Sequence, residues 1–330
     1  MKSKTKKNFD RGLVIGKFYP FHRGHHYLIE TALKNSNHDT IILCHTQSYS
    51  IPPEIRAGWI KEIFPDIDIR ILLHDPSMDD NSPKKSEIWA KITLDFLGFS
   101  PDAVFSSESY GKPYSKFMGS THIMVDGSRK KYPVSGTLVR QNPLLMWNYL
   151  DPPVKAYFAK RIAIVGAEST GTTTLAQDLA KHYKTVWVPE YGRTYYEGKM
   201  FSQSSQKWRS EEFVYIAQNQ NELENKLAGI SNKLVICDTD SLATVLWHKR
   251  YLGFMSINLE PLIQPKDLYI LTDIDIPFVQ DGTRDGEKIR SWMHQLFIKE
   301  LTRRKQKYII ISGSKQYRLK KAIDEIEKIL

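Results

Sequence analysis

The chain has 330 residues, of which 41% are hydrophobic and 25% charged, which favours two folded domains and excludes a disordered protein. Its net charge of +10 lies in short basic clusters without a nucleic-acid-binding motif, so we expect phosphorylated small molecules rather than nucleic acid as partners. It has no apolar run long enough to cross a bilayer, no signal-peptide core and only two cysteines, which predicts a cytoplasmic protein without a membrane segment.

The first half alternates short apolar segments with longer segments of helical periodicity. The strand-like segments are rich in β-branched or aromatic residues and cover 13–18, 40–45, 68–73, 102–107 and 122–126. The helical segments between them cover 25–34, 54–64 and 86–97. This alternation predicts a parallel sheet with helices on both faces. Such sheets bind ligands at the carboxyl ends of their strands, where the strand order reverses.

Residues 18–30 (FYPFHRGHHYLIE) concentrate histidines between a proline turn and a predicted helix. His22 and His25 would flank the helix N-terminus, where free backbone N–H groups and the helix dipole favour anions. Gly24 would let a phosphate or a base approach the backbone. The H-x-G-H spacing after a strand favours a phosphate site over surface histidines that merely follow a turn. His26 lies outside this spacing.

The strand before the histidines ends in Gly-Lys-Phe, and a second motif, VSGTLVR, opens a predicted helix near residue 135. These motifs resemble the H-x-G-H and S-x-T-x-x-R signatures of the nucleotidyltransferase superfamily. The resemblance implies adenylyl transfer from ATP to a nucleophile with release of pyrophosphate, with the two histidines bridging the transferring and leaving phosphates. An acceptor phosphate would attack in line, so the protein must supply positioning and charge rather than a nucleophile. The ATP-binding residues would be Lys17, Phe18, Ser135, Thr137 and Arg140.

The second half repeats the alternation after a junction at 150–160, where two prolines interrupt a helical pattern. Its strand-like segments cover 161–166, 233–238, 267–273 and 307–312. A charged amphipathic helix follows them at 317–330. We therefore expect an α/β protein with two mainly parallel sheets. A Rossmann-like nucleotidyltransferase domain at 1–155 would be followed by a P-loop kinase domain at 156–330.

Residues 166–174 (GAESTGTTT) have the glycine spacing of a phosphate-binding loop between a strand and a helix. Backbone N–H groups of such a loop surround the phosphates of ATP. The ATP-binding candidates in the loop are Gly166, Ser169, Gly171, Thr172 and Thr173. Thr173 stands where a hydroxyl ligand of Mg²⁺ is expected, and Asp238 ends the strand that would supply the supporting carboxylate.

Thr172 stands where phosphate-binding loops usually carry a lysine, so the loop lacks its positive charge. Two interpretations are open. The domain is a non-catalytic relic or nucleotide sensor, or it is an active kinase that takes the missing charge from Arg193 or Arg284. The completeness of the remaining site favours activity.

Further segments match one family more specifically than the nucleotide motifs do. They are VFSSESYGKPYSKFMG (104–119), YFAK (157–160), VPEYGR (188–193), VICDTDSLAT (235–244) and DIPFVQDGTR (275–284). From about Leu13 onward the chain resembles the bifunctional nicotinamide-mononucleotide adenylyltransferase and ribosylnicotinamide kinase family of NAD salvage. The resemblance implies ATP as co-substrate and Mg²⁺ as cofactor. Nicotinamide mononucleotide, nicotinamide riboside and NAD would be the other small-molecule partners.

The same resemblance assigns residues around the riboside. Glu190 would accept the proton of the ribose 5′-hydroxyl. The alternative for Glu190 is an ordinary ion pair with Arg193. Arg193 would also contact the riboside, Asp240 would bind its ribose hydroxyls, and Tyr191 would line the nicotinamide pocket.

Two tryptophans in predicted helices of the first half suit a planar, partly cationic acceptor. Trp59 and Trp89 each present an aromatic face on which a nicotinamide ring would stack. The alternative for both is core packing, because tryptophan is commonly buried. The choice of nicotinamide itself comes from the resemblance.

Other classes of protein fit less well. An aminoacyl-tRNA synthetase also carries H-x-G-H, but its lysine-rich second motif is absent. A riboflavin kinase and FAD synthetase has a similar first domain, but its kinase is an all-β barrel, which the strand–helix alternation after residue 160 opposes. About a dozen residues precede the first predicted strand, so we expect no helix-turn-helix domain and no operator binding. A homo-oligomer stays open.

Overall fold

The computed structural model describes residues 7–78, 83–201, 207–282 and 284–330. The chain divides into two compact units, Met1–Val154 and Lys155–Leu330. Each unit contains a five-stranded sheet in which neighbouring strands run parallel, with helices between the strands. The predicted α/β class with two parallel sheets is confirmed.

Among its described residues, the first unit contains five strands and five α-helices, followed by a sixth α-helix that includes residues of both units. The strands are β1 (Phe9–Gly16), β2 (Ser36–His45), β3 (Asp68–Leu73), β4 (Ala103–Ser106) and β5 (Thr121–Met124). The helices are α1 (Arg23–Asn35), α2 (Pro53–Ile63), α3 (Pro83–Leu97), α4 (Gly111–Phe117), α5 (Gly136–Gln141) and α6 (Pro152–Phe158).

The strand order of the first sheet, β3-β2-β1-β4-β5, determines where a ligand fits. The chain moves outward from β1 through β2 to β3, then returns to the other side of β1 with β4. Leu13 and Val14 in the central strand are fully buried because helices cover both faces of the sheet. The order reverses between β1 and β4, so a crevice opens where these two strands end.

The described part of the second unit contains five strands and six further α-helices. The strands are β6 (Lys160–Val165), β7 (Val186–Val188), β8 (Leu234–Asp238), β9 (Leu268–Thr272) and β10 (Tyr308–Ile311). The helices are α7 (Thr172–Tyr183), α8 (Tyr191–Met200), α9 (Ser210–Ala228), α10 (Ser241–Leu252), α11 (Arg290–Arg303) and α12 (Lys315–Ile326).

The second sheet has the order β10-β9-β6-β8-β7, with the strand before the glycine loop at its centre. Side chains alternate along that strand and serve two separate cores. Ile162 and Ile164 pack in one core with residues of α7 and α12. Ala163 and Val165 pack in the other with residues of α10 and α11. Both faces are therefore covered, which leaves the strand ends as the place for a ligand.

The structure differs from the sequence-based expectation at the junction and in one long helix. Pro152 and Pro153 begin α6 rather than interrupting a helix, because a proline in the first helical turn needs no hydrogen-bonded N–H. The long helix α9 lies in a stretch for which we predicted no element. Within the described ranges, no helix combines the length and apolar character that crossing a membrane requires.

Candidate nucleotide sites

A cavity of about 440 Å³ opens in the first unit beyond the ends of β1 and β4. Its walls come from the loop after β1, the start of α1 and the start of α5. The structure brings together eight of the residues predicted to bind substrates in this half, and these are Lys17, Phe18, His22, His25, Trp89, Ser135, Thr137 and Arg140.

The two predicted catalytic histidines stack at the N-terminus of α1. His22 is the N-cap residue, and its Nδ1 accepts a hydrogen bond from the backbone N–H of Gly24 at 3.2 Å. The neutral ring therefore carries its proton on Nε2, where it can donate to a ligand. His25 follows three positions later on the same helix face, and the two ring centroids are 3.8 Å apart. The buried Nδ1 of His25 has no hydrogen-bond partner among the described residues.

Both histidines are neutral near pH 7. Burial, with the positive charge of Arg129, lowers the pKa of His22 to about 3. Burial, His22 and Arg129 lower the pKa of His25 well below its ordinary value. The pair can therefore give hydrogen bonds to phosphate oxygens, but it supplies no positive charge.

His26, next in sequence, lies outside the cavity lining among the described residues and has a different partner. Its Nδ1 lies 3.1 Å from a carboxylate oxygen of Asp151. Arg23 contacts the same oxygen at 3.1 Å. A hydrogen bond to Asp151 thus holds His26 in the first turn of α1, as its position outside the motif spacing suggests.

Phe18 and Arg140 have different functions in the wall of the cavity. Phe18 is 1% exposed, and its ring centroid lies 5.0 Å from that of His25, so it supports the histidine. Arg140 donates to the carbonyl of Tyr19 and, at 3.1 Å, to the hydroxyl of Thr137. Its guanidinium also lies 4.8 Å from the centre of the Tyr19 ring. These contacts place a positive charge at the cavity rim.

Ser135 is the N-cap residue of α5 and also lines the cavity. Its hydroxyl oxygen accepts a hydrogen bond from the backbone N–H of Leu138 at 3.3 Å. Such an N-cap fixes the start of the helix. The S-x-T-x-x-R motif therefore positions the Thr137 and Arg140 side chains from one short helical turn.

The two tryptophans predicted to stack on nicotinamide have different environments in the structure. Trp89 lines the cavity, donates its ring N–H to the carbonyl of Met78 at 2.9 Å, and lies 5.0 Å from the ring of His74. Trp59 is 5% exposed within α2 and is not one of the described residues that line the cavity. Core packing explains Trp59, and the stacking prediction is retained for Trp89.

A second cavity, of about 190 Å³, lies in the second unit above the glycine loop. It contains both catalytic and ATP-binding candidates. The predicted residues that line it are Gly166, Ser169, Gly171, Thr172, Thr173, Glu190, Arg193, Asp238 and Arg284.

Glycine is required at both ends of the loop. A Cβ atom on Gly166 would lie 2.2 Å from the hydroxyl oxygen of Thr272, in the neighbouring strand. Gly171 has a φ of 84°, in the left-handed region, and forms the N-cap of α7. The G-x-x-x-x-G spacing is therefore a requirement of the close packing against β9 and of the turn into α7.

Thr172 and Thr173 line the cavity together with Asp238, and their hydroxyl groups favour its ionised carboxylate. Burial raises the pKa of Asp238, and these hydroxyl groups partly oppose the increase. The hydroxyl of Thr173 and the carboxylate of Asp238 are hard oxygen donors of the kind that Mg²⁺ prefers, so these residues fit the expected metal. Thr172 fills the position of the usual lysine with an uncharged partner of the same carboxylate.

Glu190 precedes α8 and has the electrostatics of a proton acceptor rather than of a simple ion pair. Burial, reinforced by the nearby carboxylate of Asp238, raises the pKa of Glu190 to about 7. Arg193 approaches it only to 3.9 Å and donates instead to Asp281 at 3.1 Å. A dominant ion pair would have lowered the pKa, so the ordinary ion-pair interpretation is the weaker one.

The described lining of this cavity includes two arginines, Arg193 and Arg284, and no lysine. Arg193 and Arg284 share the carboxylate of Asp281, at 3.1 and 3.2 Å. The guanidinium of Arg284 also lies 3.5 Å from the hydroxyl of Ser169, in the glycine loop itself. Both candidates for the missing lysine charge thus lie in the cavity, and Arg284 touches the loop.

Glu168 of the glycine loop holds the segment next to Arg284. Its carboxylate accepts hydrogen bonds from the backbone N–H groups of Asp285 and Gly286 at 3.1 and 2.7 Å. Arg250 pairs with Glu168 at 2.5 Å and with Asp285. These contacts restrain the position of Arg284 relative to the loop. Sequence reasoning missed Glu168 and Arg250 because their partners are far away along the chain.

Asp240 has a structural position rather than the predicted contact with the ribose. It is fully buried and caps α10 by accepting from the backbone N–H of Ala243 at 3.0 Å. It also accepts from the hydroxyl of Tyr269 at 2.6 Å and lies 3.9 Å from the buried ammonium of Lys266. It is not one of the described residues that line the cavity.

Replacing Asp240 with alanine is expected to destabilise the protein by about 2–4 kcal/mol, because it removes a helix cap and leaves Lys266 with fewer partners. The free energy of unfolding in urea measures the effect. Asp324→Ala, which breaks an exposed pair with Lys320, is the matched control and should change stability little. A stable D240A protein with a raised KM for riboside would restore the original assignment.

Tyr191 is also absent from the described lining of the cavity. Its backbone N–H donates to Gln220 at 2.8 Å, and its hydroxyl lies 3.5 Å from that of Tyr215. The aromatic walls come instead from a later residue of the same helix and from other segments: Tyr196, Trp208, Phe213, Trp247 and Tyr251. In the sequence, the aromatic residues that recur in 208–215 and 247–251 could have indicated these walls. Packing between helices explains the same pattern equally well.

Comparisons with known proteins are consistent with both halves of this description. A sequence model of the AAA domain family matches residues 161–318. The trifunctional NAD biosynthesis/regulator protein NadR of Escherichia coli (strain K12) is 30% identical over 294 residues, which cover 83% of this chain and 71% of the relative. The protein of the same name from Salmonella typhimurium (strain LT2) is 30% identical over 292 residues, with the same coverage.

Two solved structures share the fold. A crystal structure of NadR protein in complex with NR has a TM-score of 0.76 and 20% identity, and covers 98% of this chain and 96% of its own. A crystal structure of NadR protein in complex with NAD and AMP-PNP has a TM-score of 0.74 and 19% identity, and covers 99% of this chain and 98% of its own. On the sequence relationship, the chain belongs to the family of the trifunctional NAD biosynthesis/regulator proteins NadR.

Proposed function

We propose that the chain makes NAD in two ATP-dependent steps, one in each unit. The second unit would phosphorylate nicotinamide riboside, and the first would transfer the adenylyl group of ATP to the resulting mononucleotide. The names of the relatives and the ligands of the two related structures support this choice of substrates. The cytoplasmic location, the absence of a nucleic-acid partner and the oligomeric state stay predictions.

The observation that carries the proposal is the stacked histidine pair in a cavity that Lys17 and Arg140 also line. In the adenylyl transfer, an oxygen of the acceptor phosphate forms a bond to the α-phosphorus of ATP while the bond from that phosphorus to the pyrophosphate oxygen breaks. Neutral His22 and His25 would donate to the transferring and leaving oxygens. Lys17 and Arg140 would hold the triphosphate, and Trp89 would stack on the nicotinamide ring.

The adenylyl transfer would use neutral hydrogen-bond donors. The kinase step would instead need a general base and a concentrated positive charge. Glu190 would take the proton of the riboside 5′-hydroxyl as that oxygen attacks the γ-phosphorus and ADP leaves. Thr173 and Asp238 would hold Mg²⁺, which neutralises charge on the phosphates. The aromatic walls suit the cationic nicotinamide ring, because aromatic faces attract cations.

Arg284 would supply the charge that the glycine loop lacks. We expect Arg284→Gln to lower kcat/KM for riboside phosphorylation by about 10²-fold, because a preformed cation on the transferring phosphate is lost. Thr172→Lys alone should give at most a small gain, since the charge is already present, but it should restore much of the rate in R284Q. Steady-state kinetics of the three variants measure this. A large gain in T172K alone, with an unaffected R284Q, would contradict the assignment.

A non-catalytic nucleotide sensor in the second unit is the other candidate function, and the uncharged Thr172 favours it. Chromatographic product analysis with ATP and Mg²⁺ separates the two. NAD formed from both nicotinamide riboside and nicotinamide mononucleotide would support two working sites. NAD formed from the mononucleotide alone, together with tight ATP binding to the second unit, would support the sensor. No NAD from either substrate would reject the proposal.

A further inference from the structure

Three cations occur among the described residues that line the cavity of the first unit: Lys17, Arg129 and Arg140. Two of them gather around Tyr19. The guanidinium of Arg140 lies 4.8 Å from the centre of the Tyr19 ring. The Tyr49 ring stacks on Tyr19 at 4.5 Å. The ammonium of Lys17 lies 6.0 Å from the centre of the Tyr49 ring. The resemblance of the motifs assigns these two cations to the triphosphate. Arg129 has no assignment.

Arg129 is placed in the cavity by a tight loop that follows β5. Its backbone N–H donates to the carbonyl of Asp126 at 2.7 Å, and its φ of 51° lies in the left-handed region. The carboxylate of Asp126 accepts from the backbone N–H groups of Lys131 and Tyr132 at 3.2 and 3.1 Å, which closes the loop. The position of Arg129 is therefore determined by a built turn rather than by a free surface segment.

The side chain of Arg129 lines the same cavity as the histidines and pairs with an exposed carboxylate. Its Nη2 lies 3.3 Å from a carboxylate oxygen of Glu108, another residue of the cavity wall. Both side chains are nearly half exposed, at 46% and 47%, so the pair is a weak one that an anion can displace. Its charge also contributes, after burial, to the low pKa values of His22 and His25.

Adenylyl transfer brings two anions together, the triphosphate of ATP and the phosphate of the acceptor. The histidines are neutral, so they cannot offset the repulsion between these anions. With Lys17 and Arg140 assigned to the triphosphate, Arg129 is the cation of the described cavity lining that remains for the acceptor. A guanidinium is well suited to this task, because it donates two parallel hydrogen bonds to phosphate oxygens.

We propose that Arg129 binds the phosphate of the acceptor mononucleotide beside the histidine pair, in exchange for Glu108. This inference rests on the proposed adenylyl transfer and adds the residue that recognises the nucleophile. Sequence reasoning missed it because the basic run at 129–131 resembles a solvated surface cluster.

The test is steady-state kinetics of NAD formation from nicotinamide mononucleotide and ATP. Arg129→Gln should raise the KM for the mononucleotide at least about tenfold, as expected for loss of a charged hydrogen bond, with the KM for ATP changed less than about threefold. Arg129→Lys should recover part of the loss. Lys130→Gln, an exposed neighbour of equal charge, is the matched control and should behave as wild type.

Glu108→Gln provides a second measurement that does not remove the arginine. It should lower the KM for the mononucleotide, because the competing carboxylate is neutralised. An unchanged mononucleotide KM in R129Q, or a rise confined to the KM for ATP, would overturn the inference. Absence of NAD formation by the wild-type protein would instead overturn the proposed function, so the two failures are distinguishable.

Discussion

Replacing His25 with alanine is expected to lower NAD formation from nicotinamide mononucleotide by about 10²–10³-fold, the usual cost of one hydrogen-bond donor to a developing charge. Phosphorylation of nicotinamide riboside, which uses the other unit, should stay within about twofold of wild type. The two product rates, measured on the same protein preparation, give the result. The retained phosphorylation also shows that the second unit of the variant is folded.

The physical reason lies in the contacts of the His25 ring. One face stacks on His22 at 3.8 Å, the ring of Phe18 supports it at 5.0 Å, and its buried Nδ1 has no partner among the described residues. A buried polar atom without a partner costs free energy unless a ligand satisfies it. The ring itself lines the cavity, where it can donate to a phosphate oxygen, and alanine cannot.

His26→Ala is the matched control for this experiment. It removes the neighbouring imidazole from the same helix, but that ring contacts Asp151 and lies outside the described lining of the cavity. NAD formation should therefore stay close to wild type. Near wild-type adenylylation in H25A, or an equal loss in H26A, would reject the assignment of the histidine pair.

Replacing Glu190 with glutamine is expected to lower riboside phosphorylation by about 10²–10⁴-fold, the range for removal of a general base. NAD formation from the mononucleotide should be unaffected. Glu197→Gln, an exposed carboxylate on α8, is the matched control. A phosphorylation rate of E190Q within about threefold of wild type would exclude Glu190 as the base.

The pH dependence gives a second, independent readout for Glu190. Its pKa is raised to about 7, and a base must be deprotonated, so the phosphorylation rate should rise with pH through neutrality. About a tenth of the side chains are ionised one unit below the pKa and about nine-tenths one unit above it. A rate that does not change between pH 6 and pH 8 would contradict a rate-determining proton transfer to Glu190.

The same raised pKa makes a prediction about stability. A carboxyl group with a folded pKa above its unfolded value lowers stability as pH rises from about 4.5 toward 7, because the fold resists its ionisation. E190Q should therefore melt at a higher temperature than wild type at pH 8 and at a similar temperature near pH 4. Loss of activity with a gain in stability is typical of a residue retained for function.

Local features of the sequence were sufficient for the fold class and for the centre of each site. Strands buried on both faces read as continuous apolar runs, and the H-x-G-H and glycine-loop motifs each join a strand to a helix within about ten residues. Groups that a single turn positions can be read from spacing. His22, His25 and Ser135 therefore lie in the first cavity, and Gly166, Gly171 and Thr173 lie in the second.

The tertiary structure alone decided which distant side chains share a cavity. Trp59 and Trp89 had equal sequence arguments, yet packing buried one and left the other in the cavity wall. Asp240 follows the expected strand but turns back to cap its own helix and to meet Lys266. Sequence position cannot distinguish these outcomes, because each depends on the neighbours that the fold brings close.

The charges in the two cavities were likewise determined partly by the sequence and partly by the folded structure. The sequence by itself established that Thr172 carries no charge and that the histidines are concentrated at one helix start. The folded structure decided that those histidines are neutral, that Glu190 has a raised pKa, and that Arg129 and Arg284 line the two cavities. Spacing along the chain is a local property, whereas burial and electrostatic interaction depend on residues that are remote in sequence and adjacent only after folding.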